Sequence, residues 1–71
     1  MPDDYRAEIR EALQAIYQAE EEHGYNAIDQ MVGFLLSGDE TYITNHNDAR
    51  RIARKYDRDD FMYELLLTYF Q

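Results

Sequence analysis

Cysteine is absent from the chain, so no disulfide and no thiolate metal site can form, which fits a reducing compartment. Proline occurs once, at Pro2, and glycine three times. There is no linker, repeat or low-complexity segment. No Asn-Gly or Asp-Gly pair and no sustained alternation of apolar and polar residues is present, so hairpins have no signal. No stretch approaches the ~18 apolar residues of a membrane span, and the opening MPDDYRAEIR lacks the apolar run of a signal peptide. A soluble cytoplasmic protein is therefore expected. Basic residues are scarce: the formal net charge is −8. Residues 1–40 hold ten acids against two arginines, while residues 41–71 hold five acids and five bases. The first part would repel nucleic acid.

Chemistry-bearing motifs are missing as well. There is no glycine-rich phosphate loop, no Ser-His-Asp or Cys-His set, and the acids at Asp57–Asp60 lack the spacing and glycine of an EF-hand. His23 and His46 stand alone in the sequence. Any acid–base pair drawn from fifteen carboxylates would be arbitrary. No catalytic residue, metal ligand or cofactor is expected, and the protein is read as a non-enzyme.

What is present is helix. With 45% hydrophobic residues, seven tyrosines and three phenylalanines, the chain has material for a core. The expected architecture is all-α, a compact four- to five-helix single domain over residues 1–71. The first helix starts at the Pro2, Asp3, Asp4 signal and runs over about Asp4–Glu22, with Tyr5, Ile9, Ala12, Leu13, Ile16 and Tyr17 on one face. The acids Glu20, Glu21 and Glu22 read as a solvated last turn, and Gly24 ends the helix in a left-handed position. Asn26 caps a second helix, about Ala27–Ser37, whose apolar residues cover several sides. Gly33 within it points to close approach by another helix. Gly38 ends that helix, and Asp39 caps a short turn through Tyr42. A third helix begins at Thr44 or Asn45 and ends near Tyr56, packing Ala49, Ile52, Ala53 and Tyr56. Asp57, with Asp60 in the reciprocal position, caps a fourth over about Arg58–Phe70, where only Glu64 and Thr68 interrupt the apolar run from Phe61 onward.

A chain this short buries only ~60% of its unfolded surface. Two helices apolar on nearly all sides exceed what it can cover, so a homodimer is expected, with Leu66, Tyr69 and Phe70 at the interface. The sharpest local feature is a basic fan, Arg50, Arg51, Arg54, Lys55 and Arg58. Arg51, Lys55 and Arg58 read equally well as a solvated face. His46, Arg50 and Arg54 step along one helix face four residues apart and are expected to be largely exposed, since Ala49, Ile52, Ala53 and Tyr56 take the packed side; arginine suits flat bidentate contact with carboxylate or phosphate. These three are the candidate partner-binding residues. The rival use is a small nucleic-acid-binding protein reading through the third helix; net acidity and the lack of a DNA-binding helix pair count against it.

Several words of the sequence occur in a specific order: GYN at Gly24–Asn26, Asp29-Gln30, VGFLLSGD at Val32–Asp39, Tyr42-Ile43, HNDAR at His46–Arg50, then RKYDRDD before the last apolar helix. In this series, over roughly residues 11 to 71, the chain resembles the IreB/ReoM family of small regulatory proteins from Gram-positive bacteria. The resemblance implies a homodimeric regulator rather than an enzyme. It implies control of cell-envelope synthesis under a PASTA-repeat Ser/Thr kinase, with Clp protease pathway components among possible partners. It also implies a regulatory contact through the histidine and two arginines at His46, Arg50 and Arg54. The chain departs from the family pattern at Ala27, Glu40 and Thr44, where prolines are usual, and at Asn45, where arginine is usual. No Ser or Thr precedes Ser37, so the family's phosphorylated N-terminal threonine has no counterpart among these residues. Ser37, Thr41, Thr44 and Thr68 are the aliphatic hydroxyls present.

Overall fold

The computed structural model describes residues 1–71. Four α-helices follow one another: α1 (Asp3–Glu22), α2 (Ala27–Ser37), α3 (Ala49–Lys55) and α4 (Arg58–Phe70). Two 3-10 turns, Glu40–Tyr42 and His46–Asp48, lie between α2 and α3. No strand is present. The chain is all-α, as its apolar periodicity requires.

Helix α1 is the spine against which α2, α3 and α4 all pack. Its buried face is Ile9, Ala12, Ile16 and Ala19, with Tyr5 and Leu13 partly covered. Phe34 from α2, Ile43 from the connection, Ala49 and Ala53 from α3 and Phe61 from α4 complete the core. The small Ala12, Ala19, Ala49 and Ala53 let the short α3 lie close to α1, where larger side chains would hold the backbones apart.

The helix ends follow the capping signals in part. Asn26 Oδ1 accepts the Asp29 N–H at 3.1 Å, and Gly38 leaves α2 with φ 74° while its N–H bonds to Phe34 O at 2.8 Å. Asp39 Oδ1 accepts the Thr41 N–H at 3.0 Å and caps the first 3-10 turn. Asp57 sits at the N-terminus of α4, but its side chain makes no capping bond. Asp60 is drawn away instead: its Oδ2 accepts the Tyr5 hydroxyl at 2.6 Å, tying α4 to α1.

Three expectations are corrected. The third helix does not begin at Thr44 or Asn45. Asn47 and Asp48 both take left-handed backbone, with φ 52° and 61°, which breaks the run and delays α3 to Ala49. Asn and Asp are the non-glycine residues that tolerate this region best. The close approach at Gly33 is made by the ring of Tyr42 from the 3-10 turn, not by another helix, and a methyl group at Gly33 would overlap that ring. Lastly, Glu20 is not solvated but fully buried.

Buried carboxylates hold two seams together. On α4, the lone acid in the apolar run, Glu64, is 1% exposed. Arg6 donates to it twice, through Nε to Oε1 at 2.6 Å and Nη2 to Oε2 at 3.2 Å. Arg10 Nη1 (3.2 Å) and the Thr68 hydroxyl (2.8 Å) also donate to Oε2. The Arg6 bidentate contact, aided by Thr68 and Arg10, outweighs burial and pulls the Glu64 carboxyl down to about 2. Glu20 serves the other seam. Its Oε1 accepts the Thr44 N–H at 2.7 Å, and its Oε2 is buried with no protein partner.

Helix α4 buries only Phe61 and Glu64. Leu66, Tyr69 and Phe70 are 60%, 81% and 76% exposed. On α2, Ile28, Val32 and Leu36 are exposed too. The two most apolar helices therefore leave much of their apolar surface outside the core.

Candidate functional site

Thr44 is the joint around which the basic region is built. Its N–H goes to Glu20, its carbonyl accepts the Arg50 N–H at 3.1 Å, and its hydroxyl accepts the His46 N–H at 3.1 Å. Thr44 is itself buried. A buried carboxylate on α1 thus fixes the backbone that presents both His46 and Arg50.

His46 lies in the second 3-10 turn, before the left-handed kink, so it is not on the same helix as Arg50 and Arg54. Its Nε2 is 2.9 Å from Glu22 Oε1, and its ring stacks on His23 with centroids 6.2 Å apart. His23 in turn meets Tyr25 edge-on at 4.7 Å. The acid run at the end of α1 is divided in its use: Glu20 turns inward, and Glu22 holds a histidine.

Arg50 is half-buried, not freely exposed as the helical wheel implied. Its Nε donates to the Ile43 carbonyl at 2.9 Å, which fixes the guanidinium plane. Its two Nη groups have no hydrogen-bond or ion-pair partner in the protein. The other cations are occupied. Arg51 pairs with Asp48 at 3.0 Å, and Arg54 Nε lies 2.9 Å from Glu40 Oε2. Lys55 lies over the Tyr56 ring, and Arg58 Nη1 donates to Leu35 O at 3.0 Å. Arg58 thereby satisfies a carbonyl at the end of α2, which suits a cation at a helix C-terminus.

His23, Tyr25, Gln30, Thr41, Thr44, Asn45, His46 and Arg50 line one open cleft of about 540 Å³. No carboxylate lines it, although the protein is strongly acidic. His46 and Arg50 meet there. Arg54 stands apart, on the exposed side of α3 with Arg51, Ile52 and Lys55. The predicted trio is thus a cleft pair plus a neighbour.

The sequence reading missed Glu20 and His23 as parts of this site. Glu20 carried a usable signal: it follows Ile9, Ala12, Ile16 and Ala19 closely enough to share their buried side of α1. The proximity of His23 and His46 carried none, being set by tertiary contact across the α1–α2 corner. No group of three or more His, Asp or Glu is placed to hold a metal ion, and no helix is long and apolar enough to cross a membrane.

A family model described as "IreB regulatory phosphoprotein" matches residues 1–71. A protein of Acetivibrio thermocellus described as "UPF0297 protein" is 53% identical over 64 residues, covering 90% of this chain and 71% of the relative. The family match takes in α1 from its first residue, beyond the roughly 11–71 span that the sequence words cover.

Proposed function

The chain belongs to the IreB family of regulatory phosphoproteins, and from that premise we propose that it is a non-enzymatic regulator acting by protein–protein contact. Its partner-binding residues are His46, Arg50 and Arg54. The observation that carries this reading is Arg50, a half-buried arginine whose Nε is fixed and whose Nη groups are unpartnered, in a cleft without carboxylates. Such a fork is preorganised for an acidic group of a partner, so little rotamer freedom remains to be lost on binding. His46 widens the contact, and Arg54 extends it along α3 once it exchanges Glu40 for a partner's acid.

The biological role we assign is control of cell-envelope synthesis under a PASTA-repeat Ser/Thr kinase, with Clp protease pathway components on the partner side. We also propose a homodimer through the exposed α4 face at Leu66, Tyr69 and Phe70. Exposed large apolar side chains gathered on one helix are what a two-fold interface covers in small proteins. A well-folded monomer in sedimentation at high concentration would defeat the dimer. Nucleic acid binding is disfavoured by the seven-residue length of α3 and by the acids already on Arg51 and Arg54.

The test of the partner reading is a pull-down from the native host with the wild type and the Arg50→Ala, Arg54→Ala double variant. The double variant should lose its partner while still folding. Full retention by a folded double variant would sink the reading.

A further inference from the structure

The cleft holds more recognition chemistry than contact with a partner's acid uses. A single carboxylate would engage Arg50 at one point of a space of about 540 Å³. That volume falls within the ~300–1,000 Å³ of small-molecule sites. Only one of the lining residues is hydrophobic, so a small hydrophilic ligand fits these walls better than an apolar side chain does. The anion-binding element is Arg50, its guanidinium plane fixed by Ile43 O and its Nη groups unpartnered. Asp39 and Glu22, the carboxylates bonded to residues of the wall, are already engaged. Asp39 Oδ1 accepts the Thr41 N–H and hydroxyl, while Glu22 Oε1 lies 2.9 Å from His46 Nε2 and accepts from Asn47.

Aromatic rings and free amides share the cleft with that fork. The His23 ring makes no hydrogen bond within the protein. It stacks on His46 with centroids 6.2 Å apart and meets Tyr25 edge-on at 4.7 Å. His23 and Tyr25 are both exposed, so ring surface is open to a ligand. Any nucleobase has a π-face that stacks on such rings. The Asn45 side chain has no protein partner. Gln30 Nε2 donates to Tyr42 O at 3.1 Å, which fixes its amide and leaves Oε1 free to accept. An amide carries a donor and an acceptor side by side, the complement of a nucleobase edge.

We infer that the cleft is a binding site for a free nucleotide, a nucleoside phosphate. Arg50 takes the phosphate, His23 and Tyr25 take a face of the base, and the amides of Asn45 and Gln30 take its edge. The guanidinium fork matches phosphate oxygens, and its fixed plane leaves little freedom to be lost on binding. A free nucleotide differs here from a nucleic-acid strand. A strand needs cations spread along its backbone, which an acidic surface does not supply, whereas one nucleotide needs one fork. The inference shares Arg50 with the partner contact but does not depend on it, because it is tested on the protein alone.

The test is titration of the full chain with AMP and with CMP, read by calorimetry and by backbone amide NMR. At least one of the two should bind saturably, ~10-fold or more tighter than ribose 5-phosphate, because the base adds a stacking contact. The matching nucleoside, which lacks the phosphate, should bind ~10-fold or more weaker than its nucleotide. Arg50→Ala should weaken the nucleotide by about 10-fold or more, while Arg51→Ala, which removes the same charge outside the cleft, should change it less than ~2-fold. Since Arg50 also bonds to Ile43 O, His23→Ala at an exposed position supplies an independent arm. It should weaken the nucleotide and leave the binding of inorganic phosphate unchanged. Equal affinity for nucleotide, ribose 5-phosphate and inorganic phosphate would make the cleft a general anion trap and overturn the inference. Binding that survives Arg50→Ala, or no saturation by either nucleotide at ~10 mM, would overturn it as well. The pull-down with the Arg50→Ala, Arg54→Ala double variant reports on the partner alone, so either reading can fail while the other stands.

Discussion

Arg6 and Arg50 are two half-buried arginines in one small protein, and they are used in opposite ways. At the α1–α4 seam, Arg6 closes on Glu64, and Arg10 and Thr68 fill what remains of the carboxylate. Both oxygens of the buried carboxylate are satisfied internally. In the cleft, Arg50 is held only through Nε by a backbone carbonyl, and its Nη groups stay open. The contrast separates cohesion from recognition. A closed charge network holds helices together but has nothing left to bind with, while an oriented and incomplete one is ready for an external acid.

The comparison is broken most directly at Glu64. Glu64→Ala removes the buried carboxylate that accepts from Arg6, Arg10 and Thr68, leaves the part-buried Arg6 without its partner, and opens a gap in the seam. It should give a larger fall in melting temperature than substitution of Glu20, Arg50 or Arg54 by alanine. A melt within ~2 °C of wild type would show that the seam is dispensable. The same group sets an acid limb. Its carboxyl is lowered from 4.5 to about 2, so its stabilisation is complete above pH 4.5 and is lost as pH falls toward 2. Glu64→Gln should flatten the dependence of stability on pH in that window. An acid limb of unchanged slope in the Gln variant would assign it to other carboxylates.

Glu20 joins the two regions, since it lies on the spine and supports the cleft. Glu20→Ala strands the buried Thr44 N–H, a loss of about 2 kcal/mol. It should also release the backbone that presents His46 and Arg50, so partner retention should fall beyond what the stability loss explains. Chemical denaturation and the pull-down, run on the same variant, check both halves. A variant that loses stability but retains its partner fully would detach Glu20 from the site.

The helical scaffold was legible because its signals are local. Apolar spacing in α1, the Asn26 cap and the Gly38 stop act within a few residues of where they are read. The seam was half legible. Glu64 and Thr68, the two polar residues in an apolar run, sit four apart and bond to each other, and Arg6 and Arg10 have the same spacing on α1. What the sequence does not state is that the two pairs face one another. The break at Asn47 and Asp48 was hidden because both residues are ordinary in a helical pattern, yet tolerate left-handed backbone. Missing it placed His46 on α3 and put all three candidate residues on one stripe. Glu20 was misread because three successive acids look uniformly solvated, although consecutive helix positions point in different directions.

Arg50→Ala sharpens the comparison from the other side. It removes one hydrogen bond to Ile43 O and some packing of the arginine stem, a cost of about 1 kcal/mol. That is larger than for a free surface residue, because the helical wheel's picture of an exposed stripe does not apply to Arg50. Partner affinity should fall by about 2 kcal/mol or more if the open fork is a hot spot. Isothermal titration beside a denaturation curve separates the two terms. Equal losses in both would reduce Arg50 to a structural residue like Arg6.

The smallest stability effect belongs to Arg54. Its side chain is 59% exposed and its partner Glu40 42% exposed, so the ion pair is well solvated. Exposed pairs of this kind are worth about half a kcal/mol or less. Arg54→Ala should therefore leave the melting curve nearly unmoved. Its effect on partner binding should be weaker than that of Arg50→Ala and should fade with added salt, since the guanidinium lies outside the cleft and is screened. If Arg54→Ala instead abolishes binding at all salt concentrations while Arg50→Ala does not, the recognition surface lies on the outer side of α3. The contrast drawn between the open fork of Arg50 and the closed one of Arg6 would then mark the wrong arginine.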